Sequence, residues 1–218
     1  MINRLALIGV GLIGGSLARA LRDAGHVREV IGYGRRLANL QRAVELGVAD
    51  RVETSLSAAV RDADMVVLAT PVGSMAAILG AIAPYLARDA VVTDVGSVKG
   101  SIAVAARAAL GEKLSGFVPG HPIAGTERTG VEASFSSLFV GRRVVLTPLP
   151  ETSAEAVARV RAMWQAAGAE VVSMSVEHHD AVLAATSHLP HLLAYALVDM
   201  LARLDDRPAI ALLVRRQS

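Results

Sequence analysis

The stretch Leu5-Ala-Leu-Ile-Gly-Val-Gly-Leu-Ile-Gly-Gly-Ser16 constrains this chain more than any other. A short apolar run feeds directly into Gly9-x-Gly11-x-x-Gly14, and a helical pattern follows with Leu17, Ala20 and Leu21 on one face. Strand, glycine turn and helix in that order form a dinucleotide-binding fingerprint. Gly9 permits the tight turn, Gly11 removes a side chain where a pyrophosphate must approach the backbone, and Gly14 lets the helix pack closely on the strand. The unpaired N–H groups of the first helical turn, at Leu12, Ile13 and Gly14, and the positive end of the helix dipole then face the phosphates.

The pattern that follows alternates. Glu29–Tyr33 reads as a second strand, a helix from about Leu37 to Leu46 leads to a third strand near Val52, and a helical segment runs to Asp64. Met65-Val-Val-Leu-Ala-Thr70 is continuously apolar, as expected of a strand covered on both faces. Pro71 ends it, Ser74 is placed to cap a helix carrying Met75, Ile78, Leu79 and Ile82, and Val91–Asp94 is the next buried strand. Such alternation with short connections predicts an α/β fold with a doubly wound, Rossmann-type, mostly parallel sheet. Arg143–Pro148 and Glu170–Met174 read as further strands, separated by a helix that a Thr152-x-x-Glu155 capping box opens and Gly168 stops.

In such sheets ligands bind beyond the carboxyl ends of the strands. Three polar clusters fall there: Thr70-Pro71, expected to join Gly9, Gly11, Leu12, Ile13 and Gly14 at the cofactor; the Asp94–Gly100 turn with Ser97 and Lys99; and His121-Pro-Ile-Ala-Gly-Thr-Glu127. At the end of the second strand, about 20 residues past the glycines, a carboxylate would bond a ribose 2′-hydroxyl. That position holds Gly34, followed by Arg35 and Arg36. No acid repels a 2′-phosphate there and two guanidiniums can fork onto one, so NADP is expected in preference to NAD.

Past Met174 the pattern is helical only: Val176–Thr186, then Ser187-His-Leu-Pro-His191, then Leu192–Leu204, apolar nearly all round. The division predicted is a dinucleotide-binding domain over 1–174 and a helical segment over 175–218. A helix with so narrow a polar face expects partners on most sides, a second copy among them.

Composition removes other classes. The 218 residues are 53% hydrophobic, ample for a core, and include no cysteine, so disulfides and thiolate metal sites are excluded. With a formal net charge of +2, scattered basic residues and only 3% aromatics, a nucleic-acid surface is not expected. The apolar stretches read as too short or too interrupted to span a bilayer, and the strand begins too close to Met1 for a leader, so a cytoplasmic location away from membranes is expected. His178, His179, Asp180, His188 and His191 include no convincing third ligand spacing for a metal, and Pro190 disturbs the helix between the last two.

Taken together, Gly9-x-Gly11-x-x-Gly14-Gly15-Ser16, Asp94-x-Gly-Ser-Val-Lys99, His121-Pro-x-Ala-Gly-Thr-Glu127 and Ser187-His-Leu-Pro-His191 resemble the prephenate/arogenate dehydrogenase family of tyrosine biosynthesis, over nearly the whole chain. The resemblance implies an N-terminal dinucleotide domain joined to a helical domain that builds a homodimer and completes the pocket. It implies NAD(P)-dependent oxidation of a small cyclohexadienol, prephenate or arogenate, with loss of carbon dioxide and aromatisation of the ring. His121 would bond the ring hydroxyl and draw its proton. Ser97 would orient His121 or the substrate, while Glu127, Ser187 and His191 would contact the substrate and Lys99 would brace its loop.

The family's helical domain continues past this motif and supplies an arginine for the substrate carboxylate, whereas here the chain runs Asp205-Asp-Arg-Pro to Ser218, with Arg215 and Arg216 outside any family motif. Weak or no turnover with retained cofactor binding is therefore an expectation. The alternatives are a truncated dinucleotide-binding protein with little catalysis and an NADP-dependent reductase of another small substrate.

Overall fold

The computed structural model describes residues 1–203. Its elements are β1 (Ile2–Ile8), α1 (Leu12–Asp23), β2 (Val27–Tyr33), α2 (Leu37–Glu45), β3 (Arg51–Glu53), α3 (Leu56–Val60), β4 (Met65–Leu68), α4 (Val72–Ile82), β5 (Val91–Asp94), α5 (Gly100–Leu110), β6 (Phe117–Val118), β7 (Gly120–Pro122), β8 (Arg143–Leu146), α6 (Ala154–Ala166), β9 (Glu170–Ser173), α7 (Val176–Leu183) and α8 (Leu189–Ala202). Six strands form one parallel sheet in the order β3-β2-β1-β4-β5-β6. The reversal of strand order between β1 and β4 is the point at which such sheets open a ligand crevice.

Side-chain alternation divides the core into two layers. Leu5, Leu7, Met65 and Val67 pack on one side with Leu17, Leu21 and Trp164, and Ala6, Ile8, Val66 and Leu68 on the other with Met75, Leu79 and Phe117. Both faces are covered, which is why β4 is apolar at every position. Phe139 meets Trp164 edge to face, with ring centroids 5.1 Å apart.

The strands read over Arg143–Pro148 and Glu170–Met174 form as β8 and β9, and with β7 they make a second sheet of order β7-β8-β9, in which β7 is antiparallel to β8. Two expectations at helix starts are corrected. Ser74 does not cap α4; Pro71 takes that position, and the Ser74 hydroxyl bonds back to the Pro71 carbonyl at 2.7 Å. The cap of α6 is Ser153, whose oxygen accepts from Ala156 N at 3.1 Å. Thr152 instead donates to Phe117 O at 2.8 Å, tying the loop to β6.

The chain divides into two compact units, Met1–His179 and Asp180–Ser218, with the boundary inside α7. A π-helical turn at Ala184–His188 connects α7 to α8, and Pro190 sits at the start of α8, where a missing N–H costs little. The result is one helix of 27 residues, Val176–Ala202, whose most apolar stretch of 18 residues has mean hydropathy 1.4. By length and composition alone it is long and apolar enough to cross a bilayer, although Asp180, Pro190 and Asp199 interrupt it, as expected of the longest apolar stretches. Leu204 and the Asp205–Ser218 tail, with Arg215 and Arg216, lie outside the described residues.

Candidate active site

At the carboxyl end of β1 the chain turns at Gly9 with φ of +104°, and a Cβ there would stand 2.3 Å from Ala69 O. A Cβ on Gly14 would stand 2.5 Å from Gly9 O, so α1 can close on the turn only because both positions are glycine. Gly11, the N-cap of α1, faces open space. A cavity of about 560 Å³ opens there, lined by Gly9, Gly11, Arg35, Arg36, Thr70 and Pro71 among others. Leu12, Ile13 and Gly14 do not line it; they form the first turn of α1, where they can offer only backbone N–H groups.

The cavity fits a dinucleotide on its own evidence. Thr70 Oγ1 is buried with no hydrogen-bond partner among the described residues. An unmet hydroxyl of this kind costs about 1–3 kcal/mol unless a ligand bonds it. The helix N-terminus carries no side-chain cap and no acid in its first turn, so nothing competes with a phosphate. Arg35 and Arg36 are exposed at the cavity mouth beyond β2.

The Thr70-Pro71 and Asp94–Gly100 loops and the segment from Gly120 follow adjacent parallel strands β4, β5 and β6, so their common edge is a consequence of strand order, but His121, expected in a loop, lies in strand β7, where pairing with β8 holds it. Asp94 and Lys99 have no solvent exposure. Lys99 Nζ bonds Asp94 Oδ2 and donates to Gly120 O at 2.7 Å, while Gly120 N donates to Asp94 Oδ1 at 3.2 Å. Gly96 N donates to Asp94 Oδ2 at 2.7 Å. The ion pair thus holds both the N–H and the C=O of the residue immediately before His121. Burial pushes the Asp94 carboxyl above the usual carboxylate range, and the Lys99 ammonium and the Gly96 and Gly120 N–H groups oppose that push.

His121 lies in β7 opposite Val145 of β8 and is half-buried. Its Nδ1 lies 2.9 Å from Nε2 of His179, a residue of α7 with no solvent exposure. Ser97 is exposed on the Asp94–Gly100 turn, and Glu127 is exposed on the loop after β7 beside Thr126 and Arg128. Ser187 and His191 belong to the second unit, where His191 Nδ1 bonds Ser187 O at 2.7 Å. Sequence reasoning missed His179, weighed only as a metal ligand, because pairing across 58 positions has no local signature. Among the described residues no cluster of three metal-ligating groups is present.

Comparison with known proteins is consistent with this geometry. The profile described as "Prephenate dehydrogenase, nucleotide-binding domain" matches residues 17–173, and "Prephenate dehydrogenase, dimerization domain" matches residues 175–213. The cyclohexadienyl dehydrogenase of Zymomonas mobilis is 41% identical over 95% of this chain and 70% of its own length. The prephenate dehydrogenase of Bacillus subtilis is 35% identical over 91% of this chain, which spans only 53% of that protein. A prephenate dehydrogenase from Aquifex aeolicus, solved with hydroxyphenyl propionate and NAD+, superposes with a TM-score of 0.87 at 39% identity, covering 94% of this chain and 71% of that one. The nucleotide-binding profile and the NAD+-bound neighbour support a nicotinamide dinucleotide as the cofactor. With motifs, strand order and the nucleotide-binding profile in agreement, the chain belongs to the prephenate dehydrogenase family.

Proposed function

We propose that this chain oxidatively decarboxylates prephenate or arogenate, with His121 as the group that takes the ring hydroxyl proton. The observation that carries this reading is the placement of His121: a half-buried imidazole at the carboxyl edge of the sheet that holds the dinucleotide cavity, its backbone locked by Asp94 and Lys99. When bound, the dinucleotide supplies the hydride acceptor. As the C–H bond at the hydroxyl-bearing carbon breaks, His121 Nε2 draws the hydroxyl proton and a carbon–oxygen double bond forms. Departure of the carboxylate as carbon dioxide sends its electron pair into the ring. The ring oxygen then recovers the proton, leaving a phenol and a neutral imidazole. An imidazole suits this because its ordinary pKa of about 6.5 lets it accept and return a proton near neutrality.

The finer cofactor reading is NADP over NAD, supported by Arg35 and Arg36 at the cavity mouth and by Gly34 where an acid would select NAD. The helical segment is read as the contact with a second copy. Leu192, Leu193, Tyr195 and Met200 are exposed on α8, and burying each Leu or Met would contribute about 1.5–3 kcal/mol. Initial rates with prephenate and arogenate, each with NAD+ and NADP+, test the reading. Turnover with either substrate, faster with NADP+, is expected, and dinucleotide binding without oxidation of either substrate overturns it. Light scattering on the same preparation is expected to give twice the mass of the chain.

A further inference from the structure

We infer that His179 is a positioning residue that determines which nitrogen of His121 carries the proton. The inference rests on the reading of His121 as the group that takes the hydroxyl proton, and it concerns how that group is prepared.

His121 Nδ1 and His179 Nε2 are 2.9 Å apart, and the ring planes meet at 67° with centroids 5.2 Å apart. This is an edge approach that directs an N–H of one ring at the lone pair of the other, rather than a stack. A neutral imidazole offers one N–H and one lone pair, so the contact has only two arrangements. If His121 Nε2 is to accept a proton from a hydroxyl, its own proton must sit on Nδ1. His121 then donates through Nδ1–H, His179 accepts at Nε2, and the His179 proton sits on Nδ1. The opposite arrangement would leave an N–H where a lone pair is needed.

The surroundings hold His179 in place. It has no solvent exposure, so water cannot replace it at this nitrogen, and its backbone is anchored in the first turn of α7 by His179 N donating to Ser175 O at 3.0 Å. On the other side the Asp94–Lys99 pair holds Gly120, so the His121 backbone and ring are fixed from two independent directions. When His121 takes the proton, the same bond becomes charge-assisted and strengthens as the positive charge develops.

The test uses the full chain with 15N-labelled histidine. In the wild-type protein the His121 signals are expected to show protonated Nδ1 and unprotonated Nε2. His179→Phe keeps an aromatic ring of similar size but removes the acceptor, and is expected to move His121 toward the Nε2-protonated form and lower kcat about tenfold or more. KM for substrate and dinucleotide should stay within about twofold, because His179 has no solvent exposure and does not line the cavity beside Gly9. His179→Gln, whose amide oxygen can accept near the Nε2 position, is expected to restore the Nδ1 proton and most of kcat. A wild-type His121 protonated at Nε2, or an unchanged tautomer in His179→Phe, overturns the inference. If His179→Phe fails to fold, the wild-type tautomer and the Gln variant decide it. Full turnover in His121→Asn would instead remove the underlying reading while leaving the tautomer measurement intact.

Discussion

The buried corner around His121 and the open mouth around Arg35 and Arg36 both lie beyond the carboxyl ends of one parallel sheet, yet they hold charge in opposite ways. In the corner, Asp94 and Lys99 have no exposure and are bonded to each other and to Gly120. At the mouth, two guanidiniums stand in solvent beside the cavity. Desolvating an ion costs several kcal/mol, so a buried pair persists only where each charge is matched. An exposed cation pays little for its charge and gains little until a ligand arrives. Rigidity is therefore expected in the corner and selectivity at the mouth.

The largest effect should come from breaking the corner. Lys99→Met leaves Asp94 buried with its main countercharge gone, and should lower folding stability by about 3–5 kcal/mol in urea denaturation. A loss below about 1 kcal/mol would mean that the pair is not dry. Next in size, His121→Asn should reduce turnover by about a hundredfold or more while dinucleotide affinity, read by calorimetry, stays nearly constant. At the mouth, replacing both Arg35 and Arg36 by Ala should weaken NADP about tenfold more than NAD without changing stability, since exposed charge-assisted bonds are worth roughly 1.4 kcal/mol together. Equal affinities for the two dinucleotides in the wild type would remove the contrast at its source.

The smallest effect lies between the two extremes. Glu29 accepts from Arg4 Nε at 2.7 Å and Arg51 Nε at 3.0 Å, and these bonds hold its carboxyl below the usual range. Because the folded value is the lower one, this stabilisation is present above the unfolded value of about 4.3 and is lost as pH falls through the folded one. Glu29→Gln should flatten the acid limb of stability against pH by less than about 1 kcal/mol, the group being part-exposed. A flattening as large as the loss in Lys99→Met would show that exposure is not what separates these sites.

Much of the site was legible because its parts are local. The glycines act within one turn, and Arg35 and Arg36 follow their strand directly, so spacing places them at the cavity. The π-helical turn that joins α7 to α8 was not legible: Pro190 ordinarily signals a break, and only the shifted bonding over Ala184–His188 lets the helix pass it. Nor was the cap of α6, where Thr152 and Ser153 are equally able to cap and the pull of Phe117 O on Thr152 decides between them.

What the amino-acid sequence determined by itself is the set of features with a short physical range: the strand–glycine–helix unit, the apolar runs of a sheet covered on both faces, and the order of loops along one edge. Tertiary structure alone decided the pairs that span the chain. His179 meets His121, and Lys99 reaches across to Gly120, only because β5, β6, β7 and α7 come together. Hydrogen bonds act over about 3 Å, and no pattern in a linear chain encodes which distant donors and acceptors folding will bring within that distance.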